Sequence, residues 1–378
     1  MGMRIAWVDA AKGFAILSIM VGHFSAFFMG HLELAMKLFI FTDAYHVPLF
    51  FLLSGYTMHE GFMGWSGVKK LAIRCFLPYI FAGVISVALC CLLVPEHTVG
   101  DFLFGFFYGA GAYRDHILLG DPAHVNAIGL IWFLPALFVG KVMASGISGL
   151  PGPVRLAAAA GLFAAGALTA PLLFLPFDIQ QGMCASWFIT VGSLLRKGGV
   201  FAAKGEGRAP FWIGAVSAVL GVVYIAALLL NVIETPMYCN STYHNLGPDM
   251  LGCAAACIAV IYGVRAAIRL AFLKRFLVWC GLRSIALFVF HAITLSPGDE
   301  VKWEIYDILA AGADPLAAFL VTLGADLVFC FAAAAVSDRL PGLRFILYGK
   351  GVPVARRNQD AGDGPGCPAD SLGDVSAR

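Results

Sequence analysis

The chain has 378 residues, 60% hydrophobic and only 13% charged, with 31 Phe, a mean hydropathy of +0.84 and a formal net charge of +2. A soluble domain of this length carries roughly twice that charged fraction, so a soluble fold is excluded, and no nucleic acid is expected as a partner. Apolar runs of about 20 residues, rather than short alternating segments, exclude an outer-membrane barrel and predict an all-α integral membrane protein.

In chain order the basic start and first apolar run lack a small-residue cleavage site and read as a retained first helix. About ten transmembrane helices are expected, near 12–30, 46–63, 73–94, 126–146, 155–175, 181–195, 211–232, 250–265, 276–296 and 315–337. The stretch 95–125 contains an apolar run, 102–108, that reads as a re-entrant or interfacial segment rather than a span. Residues 1–340 form one transmembrane domain, and 341–378 a cytoplasmic tail, mostly disordered because Gly, Asp, Pro and Ser dominate it from Asn358 onward.

Orientation follows from the lysines and arginines, since short positively charged loops stay cytoplasmic. With the N-terminus inside, the inner set holds Arg4, Lys69, Lys70, Arg74, Arg155, Arg196, Lys197, Lys204, Arg208, Arg265, Arg269, Lys274 and Arg275. Arg339, Arg344, Lys350, Arg356 and Arg357 follow the last span, whereas the outer loops keep only Lys37, Arg114 and Lys302. The reading is a multi-pass protein of the plasma (inner) membrane with both termini cytoplasmic.

Two segments carry ionisable groups at membrane depth, where they are costly and functional by default. Lys12 to His23 places a cation ten residues before a histidine, a helical rise of roughly 16 Å. His46 opens the second expected helix from the outer side, so both imidazoles meet in the outer half of the membrane. Ser54 and Tyr56 lie about two and three turns deeper on that helix. Asp9 stands three residues before Lys12, near enough to pair with it. Most cysteines fall inside apolar runs as small hydrophobes. No Asp, Glu or His cluster has ligand spacing, so no metal is expected. Asp326 lies inside the last span and must face the bundle interior.

Trp7-Val8-Asp9-Ala10-Ala11-Lys12-Gly13, the cation-x10-His spacing to His23, and Tyr45-His46-Val47-Pro48-Leu49-Phe50-Phe51-Leu52-Leu53-Ser54-Gly55-Tyr56 resemble the acyltransferase-3 family. The closest flavour is the branch resembling fucose 4-O-acetylases. Trp132-Phe133-Leu134-Pro135-Ala136-Leu137-Phe138 and Gly281-Leu282-Arg283-Ser284 followed by His291 are further echoes. The resemblance implies a membrane O-acyltransferase for polysaccharide modification in the cell envelope. It would move an acyl group, usually acetyl, from cytoplasmic acyl-CoA to a hydroxyl of an extracytoplasmic or lipid-linked carbohydrate. The family's motif cation, motif histidine and second histidine match Lys12, His23 and His46. Many members carry Arg-x-x-Arg before the third helix; here Lys69-Lys70 precede Arg74, and Leu71 stands where the first arginine falls.

The chemistry fits the resemblance. A basic cytoplasmic mouth of Lys12, Lys70 and Arg74, with Asp9 beside it, suits the phosphates of acyl-CoA. The pantetheine arm is on the order of the rise from Lys12 to His23. His23 then acts as general base on the acceptor hydroxyl, and Ser54, Tyr56, protonated His46 or Trp132 are candidate donors to the developing oxyanion. The alternative is a proton-coupled secondary transporter whose histidines relay protons; it predicts no affinity for CoA.

Overall fold

The computed structural model describes residues 5–93, 98–114, 117–118, 125–201 and 211–349. Arg4, Lys204, Arg208, Lys350, Arg356 and Arg357 of the expected basic set lie outside the described residues, as does the chain from residue 350 on.

The chain is helical, and the described residues hold no strand, only isolated bridges. Helix α1 (Ala6–Phe28) is followed by α2 (Glu33–Asp43) and α3 (His46–Tyr56), which together form one candidate span of 24 residues. Then come α4 (Trp65–Leu93), the short apolar α5 (Val99–Tyr108), and α6 (Phe133–Gly146), entered through a 3-10 turn at Gly129–Trp132. Helices α7 (Gly152–Thr169), α8 (Ile179–Gly198), α9 (Phe211–Leu229) and α10 (Leu246–Ala267) lead to α11 (Ala271–Leu282) and α12 (Ser284–Thr294). The last described helices are α13 (Gly298–Ala310), α14 (Pro315–Ser337) and α15 (Pro341–Tyr348).

Among the described residues eight helices are long and apolar enough to cross a membrane, and α11 with α12 makes a ninth, bent by 69°. Helix α8 occupies the place of the remaining expected span. It is 20 residues long, but Gln180, Gln181, Arg196 and Lys197 lower its hydropathy. This is a multi-pass membrane protein. One expectation needs correction. The second span begins at Glu33, not 46, and is broken at Ala44–Tyr45, so His46 lies at mid-span. Beyond residue 340 the described residues include α15, which packs against α4.

Burial separates a centre from a periphery. Of the most apolar 18-residue windows, 61% of α1 and 67% of the α2–α3 span are buried, against 22% of α9 and of α14. The outward faces of α9 and α14 present Val219, Val223, Val328 and Phe329, apolar side chains suited to lipid. With no hydrophobic drive between helices in a bilayer, close backbone approach at small residues holds the centre together. A Cβ on Gly13 of α1 would overlap the Leu277 carbonyl of α11, and one on Gly281 would overlap the Asp9 carbonyl of α1. The same reciprocal fit joins α3 to α8, Gly55 against the Ile189 carbonyl and Gly192 against that of Leu52. Three motif glycines, Gly13, Gly55 and Gly281, therefore serve packing.

Candidate active site

Eleven residues at about 100° each bring Lys12 and His23 to within about 20° of one face of α1. That face opens onto two cavities. One, of about 370 Å³, is lined by Asp9, Lys12, Ser54, Arg74, Lys141 of α6 and Tyr348 of α15. The other, of about 340 Å³, is lined by His23, Asp43, His46, Trp132, Tyr238 and Cys239. Ile19, Phe133 and Phe288 line both, so the cavities meet at an apolar partition. Phe133 is fixed there by three rings on two helices: Phe51 at 4.9 Å and Phe50 at 5.8 Å from α3, and Phe288 at 5.6 Å from α12.

The first cavity lies at the end of the bundle where the cations gather. Arg265 stacks over Trp7, and Arg196 donates to the Tyr56 carbonyl at 3.2 Å. Buried Arg155 donates to Glu60 at 3.1 Å and to the Ser193 hydroxyl at 2.9 Å. Among the walls of this cavity three cations face one carboxylate, Asp9, a composition suited to a polyanion.

Around the second cavity the break between α2 and α3 decides the geometry. Pro48 stands in the first turn of α3, the one helical position where its missing N–H costs nothing. The Thr42 carbonyl at this break accepts the Tyr45 N–H at 3.2 Å and the His46 Nδ1–H at 2.8 Å. That bond fixes the neutral His46 tautomer with its Nε2 lone pair free. The His46 and His23 rings lie 5.9 Å apart, edge to face. Tyr238, from the loop before α10, donates to the Asp43 carbonyl at 2.8 Å and walls the other side of His46.

The bend between α11 and α12 brings a third imidazole to the same place. His291 Nε2 lies 3.3 Å from His23 Nδ1, and His291 Nδ1 lies 2.9 Å from Asp326 of α14. Arg283, at the bend, points elsewhere. It pairs with Asp338 at 2.6 Å and covers the Trp279 ring, clamping the bend to the end of α14.

The structure thus brings His23 and His46 together, and joins Asp9, Lys12, Ser54 and Arg74 in the first cavity. Lys70 is exposed on α4 and lines neither cavity. Tyr56 is also in neither: it is buried against Trp7 at 4.9 Å and Phe201 at 5.9 Å, which removes it as a donor near His23. Lys141 and the Asp326–His291 pair escaped assignment, although an ionisable group within a span was the available signal. Tyr238 gave no such signal, because only the tertiary fold brings it to His46, and Asp43, three residues before His46, was missed because the second span was expected to begin at 46.

The acyltransferase-3 family model, described as an acyltransferase domain, matches residues 5–335. No curated protein and no solved structure matches.

Proposed function

The chain belongs to the acyltransferase-3 family, and on that premise we propose that this membrane acyltransferase is an O-acyltransferase using cytoplasmic acyl-CoA. Its acceptor is a hydroxyl of an extracytoplasmic or lipid-linked carbohydrate. The observation that carries the reading is the pair of cavities on one face of α1, cations in one and imidazoles in the other. The excess of lysine and arginine at the Lys12 end supports a cytoplasmic position for that end, with both termini there, in a protein of the plasma membrane.

Lys12, Arg74 and Lys141 hold the phosphates, and the pantetheine arm passes Ile19, Phe133 and Phe288 to set its thioester beside His23. The acceptor enters the opposite cavity, whose Trp132 and Tyr238 offer aromatic walls to a sugar ring. His23 removes the hydroxyl proton as the oxygen attacks the acyl carbon. The new C–O bond replaces the C–S bond, and the proton passes from His23 to the departing CoA thiolate. General-base help of this kind is worth about 10²–10⁴-fold. Trp132 supplies an indole N–H donor that needs no protonation, whereas neutral His46 presents an acceptor. Acetyl is the commonest acyl group for this chemistry.

The test gives purified protein in nanodiscs radiolabelled acetyl-CoA and a lipid-linked oligosaccharide fraction. Label enters the glycan with the wild type and falls by at least about 10²-fold with His23→Ala. Equal labelling by the two forms would remove His23 from the mechanism. Proton-coupled flux without any CoA binding would replace the enzyme by a transporter.

A further inference from the structure

We propose that Asp326 and His291 are positioning residues that set the tautomer of His23 and carry the charge it acquires. This rests on the reading of His23 as the base.

Asp326 accepts three hydrogen bonds: from His291 Nδ1–H to Oδ2 at 2.9 Å, from the Thr294 hydroxyl to Oδ1 at 2.6 Å, and from the Cys330 thiol to Oδ1 at 3.5 Å. All three contacts therefore use Asp326 as the acceptor. With its Nδ1 proton committed to Asp326, neutral His291 presents a lone pair at Nε2. The nearest polar group is His23 Nδ1, 3.3 Å away, which must then be the donor. That leaves the lone pair of His23 on Nε2, the atom that takes the hydroxyl proton. When it does, the Nδ1 proton is drawn toward His291 and the positive charge is shared along a line ending at Asp326. One imidazole thus relays a carboxylate to another across α12, from α14 to α1.

The titratable groups facing this line are His46 and Asp43 from the α2–α3 break, Tyr238 against His46, and Cys330 below Asp326. His291, Asp326 and Cys330 lie close enough together to hold a metal ion. Each of these contacts is satisfied as a hydrogen bond, and a cation would have to replace the His291 and Cys330 protons and compete with the Thr294 hydroxyl for Asp326.

Asp326→Asn tests the relay. Thr294 and Cys330 hold the amide oxygen, so the amide N–H₂ faces His291 and reverses the line. His291 Nε2–H then donates to His23 Nδ1, and His23 Nε2 carries the proton it should accept. Transfer falls by at least about 10²-fold in kcat, while KM for acetyl-CoA stays within about twofold because the cations are untouched. Nitrogen-15 spectra of histidine-labelled protein in nanodiscs show His23 protonated at Nδ1 in the wild type and at Nε2 in the variant. Asp326→Glu restores part of both signals.

An Asp326→Asn protein with wild-type kcat and an unchanged His23 spectrum would overturn the relay. Loss of wild-type activity to a chelator, restored by zinc, would overturn it in favour of a metal. Retained transfer in His23→Ala would instead overturn the base, and the spectra would still report the tautomer.

Discussion

The cavity at the basic end sets Lys12, Arg74 and Lys141 against Asp9, while the cavity beyond the partition has imidazoles, Asp43 and aromatic rings and no lysine or arginine among its described walls. On the proposed function, one holds charge already present and the other handles a proton in transit. The separation has an energetic reason. A cation in contact with a base opposes its protonation by about 4 kcal/mol at an effective dielectric of ~20, but by only about 1 kcal/mol at the ~16 Å between Lys12 and His23. On the proposed function, a donor gripped by its phosphates can therefore react at a base that barely feels the grip.

The partition is where this division is most easily broken. Phe288→Trp narrows the passage shared by the two cavities. Transfer should fall by at least about 10²-fold, since a small misplacement of the reacting atoms costs that much, with acyl-CoA binding unchanged in a direct radioligand assay. Full transfer by this variant would mean that the pantetheine arm takes another route. A smaller effect sharpens the cationic side. Lys141→Met should raise KM for acyl-CoA about tenfold, the loss of one charge-assisted contact, with kcat unchanged; a lower kcat at constant KM would move Lys141 out of the donor cavity.

Smallest is a change outside both cavities. Burial works to raise the pKa of Glu60, but the Ser193 hydrogen bond and the Arg155 charge outweigh it and hold the carboxyl below its ordinary 4.5. A lowered pKa contributes stability that is present above pH 4.5 and lost as the pH falls through the lowered value. Because the Glu60 side chain is 45% exposed, Glu60→Gln should cost less than about 1 kcal/mol at pH 7. The gap in thermal unfolding should close on acidification, with KM and kcat unaltered throughout.

Much of the centre was legible in the sequence because one spacing did two jobs. Ten residues between Lys12 and His23 fix both a rise and a shared face, and a continuous α1 converts them directly into geometry. The second span was misplaced because Glu33 and Lys37 interrupt the apolar run. In the fold they pair at 2.6 Å on an exposed stretch of α2, so the helix starts before the hydropathy does. Helix α15 left little trace for a related reason: it is only 8 residues long, and Leu347 is buried there by neighbouring helices rather than by its own pattern. Asp326 was visible as an oddity, but its use depends on Thr294, Cys330 and His291, two of them on another helix. Local periodicity carries no record of such a meeting.

The three side chains that divide the cavities offer passing ions no oxygen or nitrogen in place of their hydration. On the proposed function the acyl-bearing arm passes between Ile19, Phe133 and Phe288, whereas a hydrated ion would have to shed its water to follow it. Many copies of the protein can then work in an energised membrane without short-circuiting its electrochemical gradient.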